Sequence, residues 1–202
     1  MIAFLALLVL LFMIVVGVEA IARVRALPIE LTRKATHILT GVTVALSVFY
    51  IEHVYLIVLS VMFLLVIALS RKRSLFRSIH DPERSGVGEL WYPMGILLAA
   101  LFFPEPTIFM YAVLILAVSD GLAGLIGKFF GKRRIPGIQA PKTYLGTSVF
   151  IVTAFGLSLL VMSPGVALIA AVSLAALELL SLKGLDNLIL PLAAGVIAVV
   201  LG

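Results

Sequence analysis

Cysteine is missing from all 202 residues. Disulfides, thiolate nucleophiles and thiolate metal ligands are therefore excluded. The three histidines, His37, His53 and His80, lie far apart in the chain, which argues against a zinc site. Asn and Gln occur once each, as Asn187 and Gln139. A chain so poor in thermolabile amides suits a hot habitat. Repeats, linkers and low-complexity tracts are absent, so residues 1–202 are expected to form a single transmembrane catalytic domain. No basic leader or cleavage site marks the first hydrophobic run, and Met1–Ala22 is expected to be a retained span rather than a signal peptide.

What the chain has in excess is apolar surface. It is 63% hydrophobic with a mean hydropathy of +1.26, whereas a soluble domain is usually about 45–50% apolar. A core of this size cannot hide the surplus, so lipid is expected to cover it. The net charge of +5 does not point to nucleic acid. The basic residues flank hydrophobic runs, where anionic membrane lipids explain them.

All fifteen Lys and Arg residues fall in Arg23–Lys34, Arg71–Arg84, Lys128–Lys142 and at Lys183. The alternate breaks, Ile51-Glu52-His53, Pro104-Glu105-Pro106 and Ser163-Pro164-Gly165, contain none. This is the positive-inside pattern of a multi-pass cell-membrane protein. A crossing helix needs about 20 apolar residues. The candidate spans are Met1–Ala22, Lys34–Tyr50, Val54–Ser70, Gly88–Phe103, Thr107–Gly127, Tyr144–Met162, Gly165–Leu182 and Leu188–Leu201. Open strands cannot span lipid and the runs lack barrel alternation. The expected fold class is an all-α integral membrane bundle of about eight transmembrane helices, with both termini on the non-cytoplasmic side. Nearly all polar residues gather at the basic, cytoplasmic interface, whereas a transporter needs them at the midplane. That placement suits an enzyme whose water-soluble reactant arrives from the cytoplasm and whose greasy reactant arrives from the bilayer. A small transporter or scaffold is the alternative from another class.

The densest constellation runs from Ser119-Asp120-Gly121 to Lys132 and continues in Pro141-Lys142-Thr143-Tyr144-Leu145-Gly146-Thr147-Ser148. An ionisable residue at the depth of Asp120 is costly and usually functional. Its replacement by Asn is expected to abolish turnover and leave the fold intact. Gly121, Gly124, Gly127 and Gly131 form a stripe without side chains on a helix. The stripe suits close helix packing or the approach of phosphates. Lys142, Thr143, Gly146 and Thr147 at the start of a helix make an anion site, since free N–H groups and the helix dipole favour phosphate there. An Asp for a metal and such a cradle are a minimal kit for phosphoryl transfer, in which positioning and charge neutralisation do most of the catalysis. Mg²⁺ is the expected ion.

Asp120-Gly-x-Ala-x-x-x-Gly127 followed by Lys142-Thr143-x-x-Gly146-Thr147 resembles the CTP-dependent lipid-alcohol kinase family. That family includes phytol kinases, dolichol kinases and yeast-type diacylglycerol kinases, and is distantly related to phosphatidate cytidylyltransferases. Arg33-Lys34-x-x-His37-x-x-x-Gly41 and Glu178-x7-Asp186-Asn187-x3-Pro191 resemble two further family motifs, in the same order. The resemblance implies that CTP donates its γ-phosphate to the hydroxyl of a lipid alcohol from the bilayer. It implies Asp120, His37 and Lys142 as catalytic residues. Asp120, Glu178 and Asp186 would hold the metal, and Arg33, Lys34, Lys142, Thr143, Gly146, Thr147, Gly124, Gly127 and Asn187 would bind the nucleotide. A diacylglycerol kinase or a cytidylyltransferase-like enzyme is the nearest alternative.

Several of these residues have a second reading. Arg33 and Lys34 suit ordinary membrane anchoring. His37 is placed to accept a proton from the lipid hydroxyl or, when charged, to bind phosphate. Glu178 suits a surface pair with Lys183, and Asp186-Asn187 a helix cap. His53 reads as a solvated residue of an outer turn. The loop Arg71–Glu89, with His80, Asp81, Gly86 and Gly88, reads as a solvated connection or a flap over the nucleotide, and Trp91 and Tyr92 as interfacial aromatics.

Overall fold

The computed structural model describes residues 1–71, 88–138, 140–182 and 184–202. His80, the proposed flap from Asp81 to Val87, Gln139 and the Lys183 partner of Glu178 lie outside the described residues.

Among the described residues the regular elements are all helices, apart from an isolated antiparallel bridge between Arg134 and Thr143. The elements are α1 (Ile2–Arg25), α2 (Ile29–Ser47), α3 (His53–Arg71), α4 (Gly88–Phe102), α5 (Pro106–Leu114), a π-helical turn (Ile115–Asp120), α6 (Gly121–Phe130), α7 (Tyr144–Ser158), α8 (Pro164–Leu180) and α9 (Asp186–Leu201). α5, the π turn and α6 form one rod, so each hydrophobic run becomes one rod. Ile2–Arg25, His53–Ser70 and Pro106–Phe130 are long and apolar enough to cross a membrane. α4, α7, α8 and α9 are apolar but only 15–17 residues long.

Local chemistry sets the boundaries. Ala26 takes a left-handed backbone (φ 48°) that ends α1, and Pro28 starts the next turn. Pro106 sits in the first turn of α5, where its missing N–H costs nothing. The Glu105 carboxylate accepts from Thr107 and Ile108 N–H at 3.0 and 2.6 Å. Burial alone would raise the Glu105 pKa, but these backbone donors outweigh it and hold it below its usual value. Gly184, at φ 84°, turns the chain into α9, and a Cβ there would lie 2.6 Å from Gly88 Cα. The turn between α8 and α9 therefore abuts the start of α4.

The central rod is the most buried of the three long ones: 67% of its apolar window is covered, against 22% in α1 and 28% in α3. It packs against α2, α7 and α9. One hydrophobic cluster draws on every helix, from Leu7 and Leu11 of α1 to Ala198 of α9. Large apolar side chains such as Phe12, Met13 and Val199 remain exposed at the periphery.

α2 breaks the apolar pattern and so positions the site. It begins at Ile29 rather than at Lys34, which puts Arg33 and Lys34 inside the helix instead of at its boundary. Its buried face is polar: Glu30, Lys34, Thr36, His37 and Thr40 all point into the bundle.

Candidate active site

The site forms where α2 crosses the π turn, at the level of the 131–143 loop and the facing ends of α8 and α9. A π turn shifts the helical hydrogen-bond register by one residue. Two of its carbonyls take donors from α2. Lys34 Nζ donates to Asp120 O at 3.2 Å and to Asp120 Oδ2 at 2.6 Å. His37 Nε2 donates to Leu116 O at 3.0 Å and lies 3.6 Å from Asp120 Oδ2. His37 is thereby held with Nδ1 as its acceptor nitrogen. The Tyr92 hydroxyl donates to His37 O at 2.8 Å, and the two rings lie 4.2 Å apart. Asp120 and Lys34 are both buried, so their ion pair is a desolvated one.

The 131–143 loop returns as a short hairpin. Ile135 N–H donates to Lys142 O, and Tyr144 N–H to Arg133 O. Thr143 caps α7: its Oγ1 accepts from Gly146 N–H at 3.1 Å and donates to Gly127 O at 3.4 Å. The donors expected to cradle phosphate at this helix start are thus partly engaged by the protein itself. The glycine stripe is filled as well. A Cβ on Gly127 would lie 2.9 Å from Thr143 Oγ1 and 3.2 Å from Gly146 Cα, and one on Gly124 would lie 2.7 Å from Lys34 Cε. The missing side chains bring α6 against α7 and make a slot for Lys34.

The capped hairpin aims Lys142 at two carboxylates. Its Nζ pairs with Glu178 Oε1 and lies 3.3 Å from Asp186 Oδ2. Burial alone would lower the Lys142 pKa; the charges of Glu178, Asp186 and Asp120 outweigh it and raise it above the usual lysine value. Asp120, Glu178 and Asp186 each offer an oxygen, all within 4.8 Å of one another. Glu178 Oε2 is buried without a hydrogen-bond partner. Three carboxylates face the two ammonium groups of Lys34 and Lys142, which leaves one negative charge. Hard oxygen donors, an unused buried oxygen and surplus negative charge fit a divalent cation such as Mg²⁺.

Of the other expected site residues, Asn187 stands at the same rim and donates from Nδ2 to Gly88 O at 2.9 Å. α9 begins at Asp186, so the cap position falls one residue earlier than expected, at Leu185. Asp186 instead sits in the first turn, where its charge favours the helix dipole. Arg33 turns to Glu30, at 2.6 Å. Thr147 Oγ1, like Ser119 Oγ, is buried with no hydrogen-bond partner among the described residues. His53 is no solvated loop residue: it opens α3, contacts Ala100 O and meets the Phe109 ring edge-on. Sequence reasoning missed Tyr92, read as an interfacial aromatic. The signal was the spacing Gly88, Tyr92, Ile96, one face of α4. It also missed Glu30, the anchor of Arg33.

The chain is 30% identical over 200 residues to a phytol kinase of Synechocystis, covering 92% of this chain and 85% of that protein. No protein-family model matches the chain. No solved structure matches it. The chain belongs to the lipid-alcohol kinase family that its four motifs resemble.

Proposed function

We propose that the chain is a multi-pass membrane kinase that transfers the γ-phosphate of CTP to the hydroxyl of a phytol, geranylgeraniol or polyprenol type of alcohol, giving the lipid monophosphate and CDP. The observation that carries this reading is the convergence of Asp120, Glu178 and Asp186, from distant parts of the chain, to within 4.8 Å beside two lysines. These carboxylates would hold Mg²⁺, which neutralises charge on the β- and γ-phosphates when bound. Lys34 fixes the Asp120 carboxylate. Lys142 exchanges its carboxylate partners for the γ-phosphate. His37, with Nε2–H committed to Leu116 O, presents Nδ1 to the lipid hydroxyl. It takes the proton as the hydroxyl oxygen attacks the γ-phosphorus and the β–γ bridging oxygen leaves with CDP. The choice of CTP follows the family resemblance. The distribution of Lys and Arg supports a site that opens to the cytoplasm.

Purified protein supplied with γ-labelled CTP, Mg²⁺ and a panel of lipid alcohols should yield labelled lipid monophosphate. Label entering lipid from the α-position would mark a cytidylyltransferase instead. Absence of both CTP binding and Mg²⁺ dependence would mark a transporter or scaffold.

A further inference from the structure

α1 packs on α2, α3 packs on α4, and the two pairs face each other across a cleft. The mouth of the cleft, about 510 Å³, is rimmed by Arg33, His37, Glu89 and Asn187. A deeper section of about 370 Å³ is walled by Leu11, Val44, Leu59 and Ile96. Thr40, Phe63, Ile67 and Tyr92 line both sections, which therefore form one channel. From His37 to Val44 it follows α2 for about 10 Å, at about 1.5 Å per residue. Phe4 of α1 also stacks on Tyr55 of α3, with ring centroids 4.9 Å apart.

We propose that this channel binds the hydrocarbon chain of the acceptor: a single isoprenoid or alkyl chain lies between the two helix pairs, with its hydroxyl at the mouth beside His37. The proposal deepens the kinase reading and rests on it for the identity of the head group.

The distribution of polarity selects this occupant. Among the described residues, Arg33, His37 and Glu89 line the mouth, and no charged side chain lines the deeper section. The three hydroxyls that line the deeper section are already committed: Thr40 Oγ1 donates to Thr36 O at 2.7 Å, Ser60 Oγ to Leu56 O at 2.8 Å and the Tyr92 hydroxyl to His37 O at 2.8 Å. They demand nothing of a ligand, and a polar group buried beside them would lack a partner. A molecule with one polar end and an apolar remainder satisfies the whole surface. The mouth is also continuous with the phosphoryl site, because His37 belongs to both. Gly41 keeps the neck in place. A Cβ there would collide with Ala117 and with the Tyr92 hydroxyl, which is the group that holds the His37 carbonyl.

Two measurements on the full chain test this. In the first, a C20 isoprenoid alcohol carrying a diazirine on its chain is photolysed with the purified protein in phosphatidylcholine vesicles. Adducts should map to Phe63, Ile67 and Ile96 and fall at least about fivefold when unlabelled C20 alcohol competes. Adducts elsewhere, or adducts that only added phospholipid displaces, would overturn the proposal. This arm needs no turnover, so it stands apart from failure of the kinase reading. In the second, Val44→Phe and Ile96→Phe narrow the apolar section, and Phe63→Ala widens it. Either narrowing variant should raise KM for the C20 alcohol at least about tenfold while KM for a C5 alcohol and for CTP stays within about twofold. Phe63→Ala should relax the limit on bulky chains. An unchanged C20 KM in both narrowing variants would overturn the channel as the acceptor site. A rise in KM for CTP of the same size would show that the cleft serves the nucleotide.

Discussion

Asp120→Asn separates a buried ion pair from a solvated one. The sequence alone suggests a pocket open to water, in which the substitution removes turnover and spares the fold. The structure puts Asp120 and Lys34 at 3% and 6% exposure, 2.6 Å apart. Removing one partner of a buried pair costs about 3–5 kcal/mol, because the other charge stays desolvated. Here Lys34 Nζ keeps Asp120 O at 3.2 Å, and an Asn oxygen can still accept from it, so the lower end, about 3 kcal/mol, applies. At about 2–4 °C per kcal/mol for a chain of this size, Tm should fall by about 6–12 °C. The double variant Lys34→Met with Asp120→Asn removes both charges. It should recover about 2 kcal/mol relative to the sum of the single changes, as directly contacting residues do. Thermal unfolding in mild detergent at one scan rate reads all four corners of the cycle. A fall below about 2 °C in Asp120→Asn, or a coupling near zero, would refute the desolvated pair.

Lys142→Ala should lower kcat and kcat/KM together by about 100-fold, the scale for losing a donor aimed at transition-state charge. Arg133→Ala, whose backbone carbonyl makes the structural contact, should stay within about threefold. Gly127→Ala should cost about 1–3 kcal/mol by forcing α6 from α7, whereas Gly165→Ala, with nothing within 4 Å of a Cβ, should be neutral or slightly stabilising; unfolding midpoints distinguish them. Single cysteines introduced into this cysteine-free chain report its topology. A probe at Lys132 should react only from the cytoplasm and probes at both termini only from outside; outside labelling at Lys132 would place the site on the wrong face.

The rods were legible because each hydrophobic run is bounded by proline, glycine or charge, signals that act within a few residues. The metal candidates were legible as residue types in motif order. Their convergence was implied by the family resemblance and not by the spacing, since Asp120, Glu178 and Asp186 meet through the packing of the central rod against α9 and of α9 against α8. The π turn escaped sequence reasoning because Ile115–Asp120 has the composition of an ordinary apolar helix. Two of its carbonyls take donors from α2, 86 and 79 residues away in the chain. The glycine stripe had two readings in sequence. Contacts with Lys34 and Gly146, which the spacing cannot show, fill the space beside Gly124 and Gly127.

Single-turnover transfer of label from γ-labelled CTP to a C20 alcohol, measured against Mg²⁺ in the unmodified protein and in Glu178→Gln and Asp186→Asn, tests the carboxylate site most directly. The account predicts labelled lipid monophosphate from the unmodified protein, with α-label remaining in the nucleotide. It also predicts a loss of at least about 100-fold in each variant that added Mg²⁺ only partly restores. Full transfer in both variants, at the same Mg²⁺ dependence as the unmodified protein, would contradict it.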